Sequence, residues 1–170
     1  MNKKLQNTID TLQTRFGGTH TEFRGEHTIT IQADQIVSAS RFLKDETGYE
    51  MLLDITSVDY CPKVVGRFHL VYHLYSMKKT QLLILRVALD GADPEIQTLE
   101  GVYPNANWYE REIWDLMGIR FTGHSDLRRI LLPAEWEGHP LRKDHPLGYE
   151  EVQFSINFDE IAKTKSHPRD

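Results

Sequence analysis

The chain lacks several features by which proteins hold cofactors or cross membranes. Its 170 residues include one cysteine, Cys61. A single thiol can neither close an internal disulfide nor hold an iron–sulfur cluster or a structural zinc ion alone. No apolar run approaches the ~20 residues of a membrane span, and the N-terminus contains no signal-peptide-like stretch. We therefore expect a chain without a cofactor or metal of its own, in a reducing compartment, that reaches a membrane only through a partner.

Charge and short motifs exclude further classes. The net charge is -5 at pH 7 and the isoelectric point is about 5.9, so no basic field attracts nucleic acid. Neither the G-x-G-x-x-G fingerprint of dinucleotide-binding domains nor a phosphate-binding loop occurs in the sequence. The length suffices for one domain with a well-packed core, or for one domain plus a long arm.

The spacing of apolar residues predicts an α+β fold. Apolar side chains recur at helical intervals between Leu5 and Phe16, and Asp34 is a suitable N-cap for a second helix that ends at Gly48. A hairpin is predicted between these helices, over 22–31. Three strands follow, over 49–60, 67–76 and 82–89. The last two strands should pair antiparallel, because the turn between them is short. The expected architecture is a two-layer sandwich, a mostly antiparallel sheet with helices on one face.

A third helix is predicted after the strands. Asn107 is its expected N-cap, with Glu110 completing a capping box, and Gly118 ends the helix. Arg111 and Asp115 lie four residues apart, so they are predicted to pair along the helix surface.

The sequence divides into three parts. Residues 1–104 are the α+β domain, 105–146 are the third helix with the loops after it, and 147–170 are an extended C-terminal arm. The arm has too few apolar residues to build a core, so we expect it to lie on another surface or to be disordered.

Residues 105–146 combine all three tryptophans with charges of both signs. A solvated surface does not need so much aromatic area, and a core does not tolerate so many charges unless they are paired. Tryptophan and arginine together are typical of the buried centre of a protein–protein interface. A well-packed domain edge is the simpler alternative. The predicted interface residues are Trp108, Glu110, Arg111, Glu112, Trp114, Asp115, Asp126, Arg128, Arg129, Trp136, Arg142 and Lys143.

Two other interpretations compete with an interface. His124, His139 and His145 lie near acidic residues, but their spacing is irregular and no H-E-x-x-H or C-x-x-C motif is present, so no metal site is predicted. Glu110 and Glu112 are candidates for the acid/base pair of a hydrolase. Because both lie on one helix, capping and ion pairing explain them more simply, and we predict no catalytic residue.

Several stretches resemble the signature of a known family. WYEREIWDLMGIRF, GHSDLRRILLP and WEGHPLRKDHP are similar to the C subunit of bacterial respiratory complex I, the thirty-kilodalton subunit family of NADH–quinone oxidoreductase. LLDITSVDY, FHLVYHLYS and EVQFS also resemble the family. Ser125 stands where the family usually has proline, and His145 where it usually has tyrosine. The matching residues are Glu110, Arg111, Glu112, Asp115, Gly118, Ile119, Asp126, Leu127, Arg128, Arg129, Ile130 and Leu131.

The resemblance implies a non-catalytic structural subunit. The C subunit of this family belongs to the peripheral arm, carries no flavin, cluster or metal, and packs on the D subunit of complex I with the B and I subunits as neighbours. NADH, flavin, iron–sulfur clusters and quinone would then belong to partner subunits, on the cytoplasmic side of the bacterial inner membrane. The equivalent subunit of a membrane-bound hydrogenase, or of a dehydrogenase fed by ferredoxin or a deazaflavin, is an alternative with the same fold.

Overall fold

A computed structural model describes residues 3–145, which form three α-helices and seven strands. None of these helices combines the length and the apolar character that crossing a bilayer requires. The elements in chain order are α1 (Lys3–Phe16), β1 (Thr19–Phe23), β2 (Glu26–Ile31), a short 3-10 turn (Ala33–Gln35), α2 (Ile36–Asp45), β3 (Met51–Asp59), β4 (Phe68–Ser76), β5 (Gln81–Leu89), β6 (Glu95–Gln97), α3 (Ala106–Met117) and β7 (Arg120–Thr122).

Five strands form the main sheet, in the spatial order β1-β2-β5-β4-β3. Neighbours are antiparallel except β2 and β5, which run parallel with Ile29 opposite Leu85. Strands β6 and β7 form a separate two-stranded parallel ladder. Neither parallel pair was predicted, because each joins strands far apart in sequence, and β6 and β7 are too short to show an alternating pattern.

One face of the main sheet and helices α1 and α2 enclose the core. Strand β4 shows the reason in its sequence, since alternate residues from Phe68 to Leu74 point to one side and are buried. Helix α1 ends at Phe16, where Gly17 has a positive φ of 64°. The predicted two-layer α+β fold is confirmed. The helices contribute Leu5, Ile9, Leu12, Ile36, Ala39, Phe42 and Leu43 to the hydrophobic cluster.

Helix α3 lies along the outer edge of β3. The side-chain amide of Asn105 donates to the Leu52 carbonyl (Nδ2–O 2.8 Å), and the Tyr109 hydroxyl donates to the Leu53 carbonyl (2.7 Å). The register of β3 shifts at this point, so the strand carries a bulge. Exposed strand edges invite pairing with other chains, and these two bonds block part of the β3 edge.

Helix α3 and strand β7 share the core of the main sheet. Ala106, Ile113 and Phe121 belong to the same hydrophobic cluster as the strands. Within residues 3–145, no second hydrophobic core begins at residue 104. The division of the chain at that residue stays a prediction about function. The predicted arm, 147–170, lies outside the described residues.

Two predicted helix caps are wrong. Asp34 lies inside the 3-10 turn before α2, and Asn107 lies inside α3. The residues that occupy the N-cap positions, Gln35 and Asn105, have helical backbone angles and make no side-chain cap bond. A capping side chain needs an extended backbone to reach the free N–H groups, which explains the failure.

The glycine that ends α3 should be more sensitive to substitution than the one that follows α2. Gly118 and Gly48 both have positive φ, 71° and 74°. A Cβ at position 118 would overlap the His139 imidazole, whereas nothing lies within 4 Å of a Cβ at position 48. Gly48→Ala should therefore lose about 1 kcal/mol of unfolding free energy, from backbone strain alone. Gly118→Ala should lose about 2 kcal/mol or more. Urea unfolding of both variants is the measurement, and equal losses would contradict the close packing of His139 on the helix end.

Candidate functional site

Residues 123–145 form a long loop that one carboxylate of α3 holds in place. Asp115 Oδ2 accepts backbone N–H bonds from Ile130, Leu131 and Leu132 at 3.0, 2.8 and 2.9 Å. Its Oδ1 accepts a bond from Arg129 Nη1 at 2.6 Å. The Asp115 side chain is fully buried, so these donors replace the water that a carboxylate needs. The loop therefore turns around a single charged group.

The surroundings of Asp115 favour its charged form. Burial alone would raise its pKa, but the three backbone donors and the Arg129 guanidinium outweigh burial and lower the pKa of Asp115 to about 2. Arg129 Nη2 also donates to the carbonyls of Trp136 and Gly138, at 2.7 and 3.1 Å. A second part of the loop is thereby tied to the same ion pair.

Arg111 holds the loop from a neighbouring position on α3. Its guanidinium donates to the carbonyls of Arg128 and Arg129, both at 3.1 Å. The central carbon of this guanidinium, Cζ, lies 5.3 Å from the centre of the Trp108 ring, which is within the range of a cation–π interaction. The predicted surface pair of Arg111 with Asp115 is wrong, because both side chains turn inward to the loop backbone.

Glu110 points into the core instead of capping the helix. It accepts a bond from the Leu99 backbone N–H at 2.7 Å and another from the Thr98 hydroxyl, and it is fully buried. The predicted capping box is therefore wrong. Burial is the largest effect on this group and raises the pKa of Glu110 to about 7, although both bonds favour the carboxylate.

A second buried carboxylate holds the end of the loop. Asp59, at the end of β3, accepts two bonds from Arg67, from Nε at 2.9 Å and from Nη2 at 2.8 Å. It also accepts the backbone N–H of Lys143 at 2.9 Å, while Arg67 Nη1 donates to Asp144 at 2.8 Å. The Arg67 guanidinium holds the pKa of Asp59 well below its usual range. The loop is thus fixed near its middle and at its end.

The loop and the outer side of α3 present apolar side chains to solvent. Leu131 is 62% exposed, Leu141 is 54% exposed and Trp108 is 60% exposed, and Ile130 is also exposed. The Leu141 N–H donates to the Leu116 carbonyl of α3 at 3.0 Å, so this residue too is held against the helix. We call Trp108, Ile130, Leu131 and Leu141, which lie on α3 or on the loop held against it, the candidate docking surface, since large exposed apolar groups mark candidate interaction sites.

The structure separates the twelve predicted interface residues into three groups. Glu110, Arg111 and Asp115 are buried inside the chain. Arg111 and Asp115 hold the loop, whereas Glu110 bonds to Thr98 and Leu99, and a place for these three residues in an interface stays a prediction. The half-buried group is Trp114, Arg129, Trp136 and Arg142. The exposed group is Trp108, Glu112, Asp126, Arg128 and Lys143.

Two half-buried residues of the loop have a donor without an acceptor. Among residues 3–145, no acceptor reaches Trp136 Nε1 or Arg142 Nε, although both atoms are buried. A buried donor without a partner costs about 1–3 kcal/mol. An acceptor from outside the described residues would remove that cost.

The residues of the hydrolase and metal interpretations are not brought together. Glu110 is buried while Glu112 is exposed, so they do not face each other across a cleft. His139 Nδ1 bonds to the Asp115 carbonyl at 2.9 Å, and His124 Nε2 bonds to the Asn107 carbonyl at 3.2 Å. Within the described range, no three His, Cys, Asp or Glu side chains converge as metal ligands would.

Sequence reasoning missed Arg67. Arg67 lies 77 residues from Asp144, so no local pattern connects them. The one available signal was the position of Asp59 and Arg67, which end one strand and precede the next and so meet across the β3–β4 connection.

Much of the sequence matches one known protein family. Residues 29–151 match the respiratory-chain NADH dehydrogenase 30 Kd subunit. The chain belongs to this family. It is 48% identical over 126 residues to the C subunit of NADH-quinone oxidoreductase from Geobacter sulfurreducens, which covers 74% of this chain and 78% of that protein. It is 45% identical over 146 residues to the protein of the same name from Roseiflexus sp. strain RS-1, covering 85% and 83%.

Two solved structures share the fold. A trypsin-resistant fragment of Nqo5 has a TM-score of 0.66 at 27% identity, covering 73% of this chain and 99% of the fragment. A chain of the membrane-bound sulfane sulfur reductase, an archaeal respiratory membrane complex, has a TM-score of 0.75 at 21% identity, covering 99% and 97%. At that identity the second likeness concerns the fold alone.

Removing the Asp115 charge should destabilise this 30 Kd family member far more than removing an exposed charge. Asp115→Asn leaves one oxygen for the bonds from the loop and leaves Arg129 without its counterion, so we expect a loss of about 3–5 kcal/mol. Asp126→Asn is the matched control, because Asp126 pairs with Arg128 in an exposed ion pair. It should cost less than about 1 kcal/mol. Chemical denaturation measures both, and similar losses would count against Asp115 as the main anchor of the loop.

The charge of Glu110 should make stability fall as pH rises. Its folded pKa, about 7, lies above the ordinary value of 4.5, so the folded state binds the proton more tightly. The stabilisation is therefore complete below pH 4.5 and is lost as pH rises through about 7. Wild type should lose about 3 kcal/mol relative to Glu110→Gln between about pH 5 and pH 8. Glu112→Gln, which changes an exposed carboxylate, is the control; parallel pH curves for wild type and Glu110→Gln would show that Glu110 is ionised throughout.

Proposed function

We propose that this protein is a non-catalytic structural subunit in the peripheral arm of a proton-translocating NADH:quinone oxidoreductase. In this role it docks on the D subunit, with the B and I subunits as neighbours, and supports electron transfer from NADH to quinone without carrying electrons. Identities of 48% and 45% to proteins named as the C subunit of NADH-quinone oxidoreductase support membership in such a complex.

The observation that carries the docking role is how the docking surface is built. Leu131 projects from a backbone whose N–H is bonded to the buried Asp115 carboxylate, and its side chain remains mostly exposed. Apolar groups that are fixed before binding lose little conformational entropy when a partner covers them. A chain that needed these leucines only for its own fold would bury them.

The groups around the docking surface suit a protein partner. Glu112, Asp126, Arg128 and Lys143 are exposed charges of both signs, which set register and orientation at the rim of an interface. Exposed charges of both signs favour a specific contact over non-specific adhesion.

The remaining parts of the proposal concern the whole complex. Flavin, iron–sulfur clusters and the sites for NADH and quinone belong to partner subunits, since one thiol cannot hold a cluster. The complex holds this chain at the cytoplasmic side of the bacterial inner membrane. The pure chain should accordingly show neither flavin nor cluster absorbance.

A related machine is the alternative. The equivalent subunit of a membrane-bound hydrogenase or of a ferredoxin- or deazaflavin-fed dehydrogenase would have the same fold. The likeness to a sulfane sulfur reductase chain is also a likeness of fold. The relatives at 48% and 45% identity favour the NADH-linked complex. Purification of the complex with a flavoprotein that oxidises NADH distinguishes the two.

Leu131→Glu should leave the chain folded but prevent docking. Because Leu131 is exposed, the substitution should change the unfolding free energy of the protein by less than about 0.5 kcal/mol. A charge placed in the centre of an interface should weaken binding by about 30-fold or more. The measurement is the amount of the D subunit that co-purifies with the tagged chain from solubilised membranes. Met77→Glu is the control, because Met77 is similarly exposed in the β4–β5 turn. Equal recovery with both variants would refute the docking surface, and no recovery with wild type would refute the proposed function.

A further inference from the structure

The face of the main sheet opposite α1 and α2 carries a cation that has no carboxylate partner among residues 3–145. Arg86 lies in β5, the central strand, between Val71 of β4 and Thr30 of β2. Its side chain is half-buried. Nε donates to His69 Nδ1 at 2.7 Å, and Nη2 donates to the Tyr60 hydroxyl. Both acceptors are neutral groups, so neither balances the charge of the guanidinium.

The surroundings of Arg86 add positive charge. Burial and the neighbouring charges of Arg86 and Lys63 lower the pKa of His69, which keeps its ring neutral. The Lys63 ammonium lies 5.6 Å from the centre of the Tyr60 ring. Among residues 3–145, neither Arg86 nor Lys63 forms an ion pair with a carboxylate. Asp54, on the same face, is engaged with His73 Nδ1 at 2.7 Å.

This arrangement is costly in the isolated chain. A guanidinium has five N–H donors. Within the described residues, Arg86 donates one hydrogen bond from Nε and one from Nη2. A partly desolvated charge without a counterion loses free energy that an incoming carboxylate would restore. Lys63 beside it would strengthen the attraction to that carboxylate.

Arg86 has apolar as well as polar neighbours on this face, among them Val71 and Thr30 directly opposite it. An antiparallel sheet with one face in water usually places polar residues there. On this face Ile84 is 7% exposed, while Val58 and Ala88 are exposed. An arginine bonded to a tyrosine, with Ile84 and Val71 beside it, is a combination typical of the centre of an interface.

We infer that this sheet face is a second docking surface, occupied by a segment of another subunit that places a carboxylate against Arg86. The inference rests on the proposed function, because the partner is taken to be a member of the same complex. It concerns a different part of the molecule, since the docking surface is built on α3 and the loop, while Arg86 lies on the central strand. The planar guanidinium can donate two parallel hydrogen bonds to the two oxygens of one carboxylate.

Two substitutions test the charge complementarity. Arg86→Gln removes the positive charge. Ala88→Glu introduces a carboxylate two residues along the same strand, on the same face, where Arg86 can bond to it instead of the partner. Arg41→Gln is the control, because Arg41 is exposed on α2 and forms no ion pair among residues 3–145. Unfolding curves check the folding of each variant, and Ala88→Glu decides alone if Arg86→Gln does not fold.

The readout is the recovery of the other subunits with the tagged full chain from solubilised membranes. Arg86→Gln and Ala88→Glu should each reduce recovery about tenfold or more relative to wild type, and Arg41→Gln should not. Wild-type recovery for all three variants overturns the inference while leaving the proposed function intact. Failure of the wild-type chain itself to recover any subunit overturns both.

A photo-reactive amino acid, p-benzoylphenylalanine, at position 88 identifies the occupant. We expect a cross-link to a peptide of another subunit that contains aspartate or glutamate. A cross-link to residues 146–170 of this chain would overturn the inference, because the carboxylate would then come from within the molecule. An assembled complex without any cross-link from this position would overturn it as well.

Discussion

A single buried carboxylate, that of Asp115, determines how the third helix and the loop after it are arranged. A loop with little secondary structure has backbone N–H groups that the strands and helices do not satisfy. Asp115 accepts three of them in succession and also pairs with Arg129. The cost of burying the charge is offset only while all four donors are present, so the loop has one favoured conformation.

The rest of the helix and the sheet extend the same principle. Arg111 holds loop carbonyls where Asp115 holds loop N–H groups, so both kinds of backbone group are satisfied from one helix. Asp59 and Arg67 repeat the arrangement at the end of the loop. In this region some charges therefore lie inside, while leucines and a tryptophan lie outside beside other charges. A surface built in this way is rigid before it meets a partner.

Local patterns predicted local structure well. The spacing from Leu5 to Phe16 correctly indicated α1, and the alternation in β4 correctly indicated a strand with one buried face. Sequence could not show that β2 pairs with β5, because register between distant strands depends on packing. It also could not show that Asp115 and Arg111 turn inward. A helix carries the same letters whether its charges face water or hold a loop, and four-residue spacing suggested a surface pair that does not form.

Amide hydrogen exchange at Ile130, Leu131 and Leu132 tests the central claim most directly, since these are the N–H groups that Asp115 accepts. In the isolated wild-type chain these amides should exchange slowly although the side chains of Ile130 and Leu131 are exposed. In Asp115→Asn they should exchange at rates close to those of an open loop, while the amides of β5 keep their protection. Unchanged slow exchange in the variant would mean that the loop is held by something other than this carboxylate.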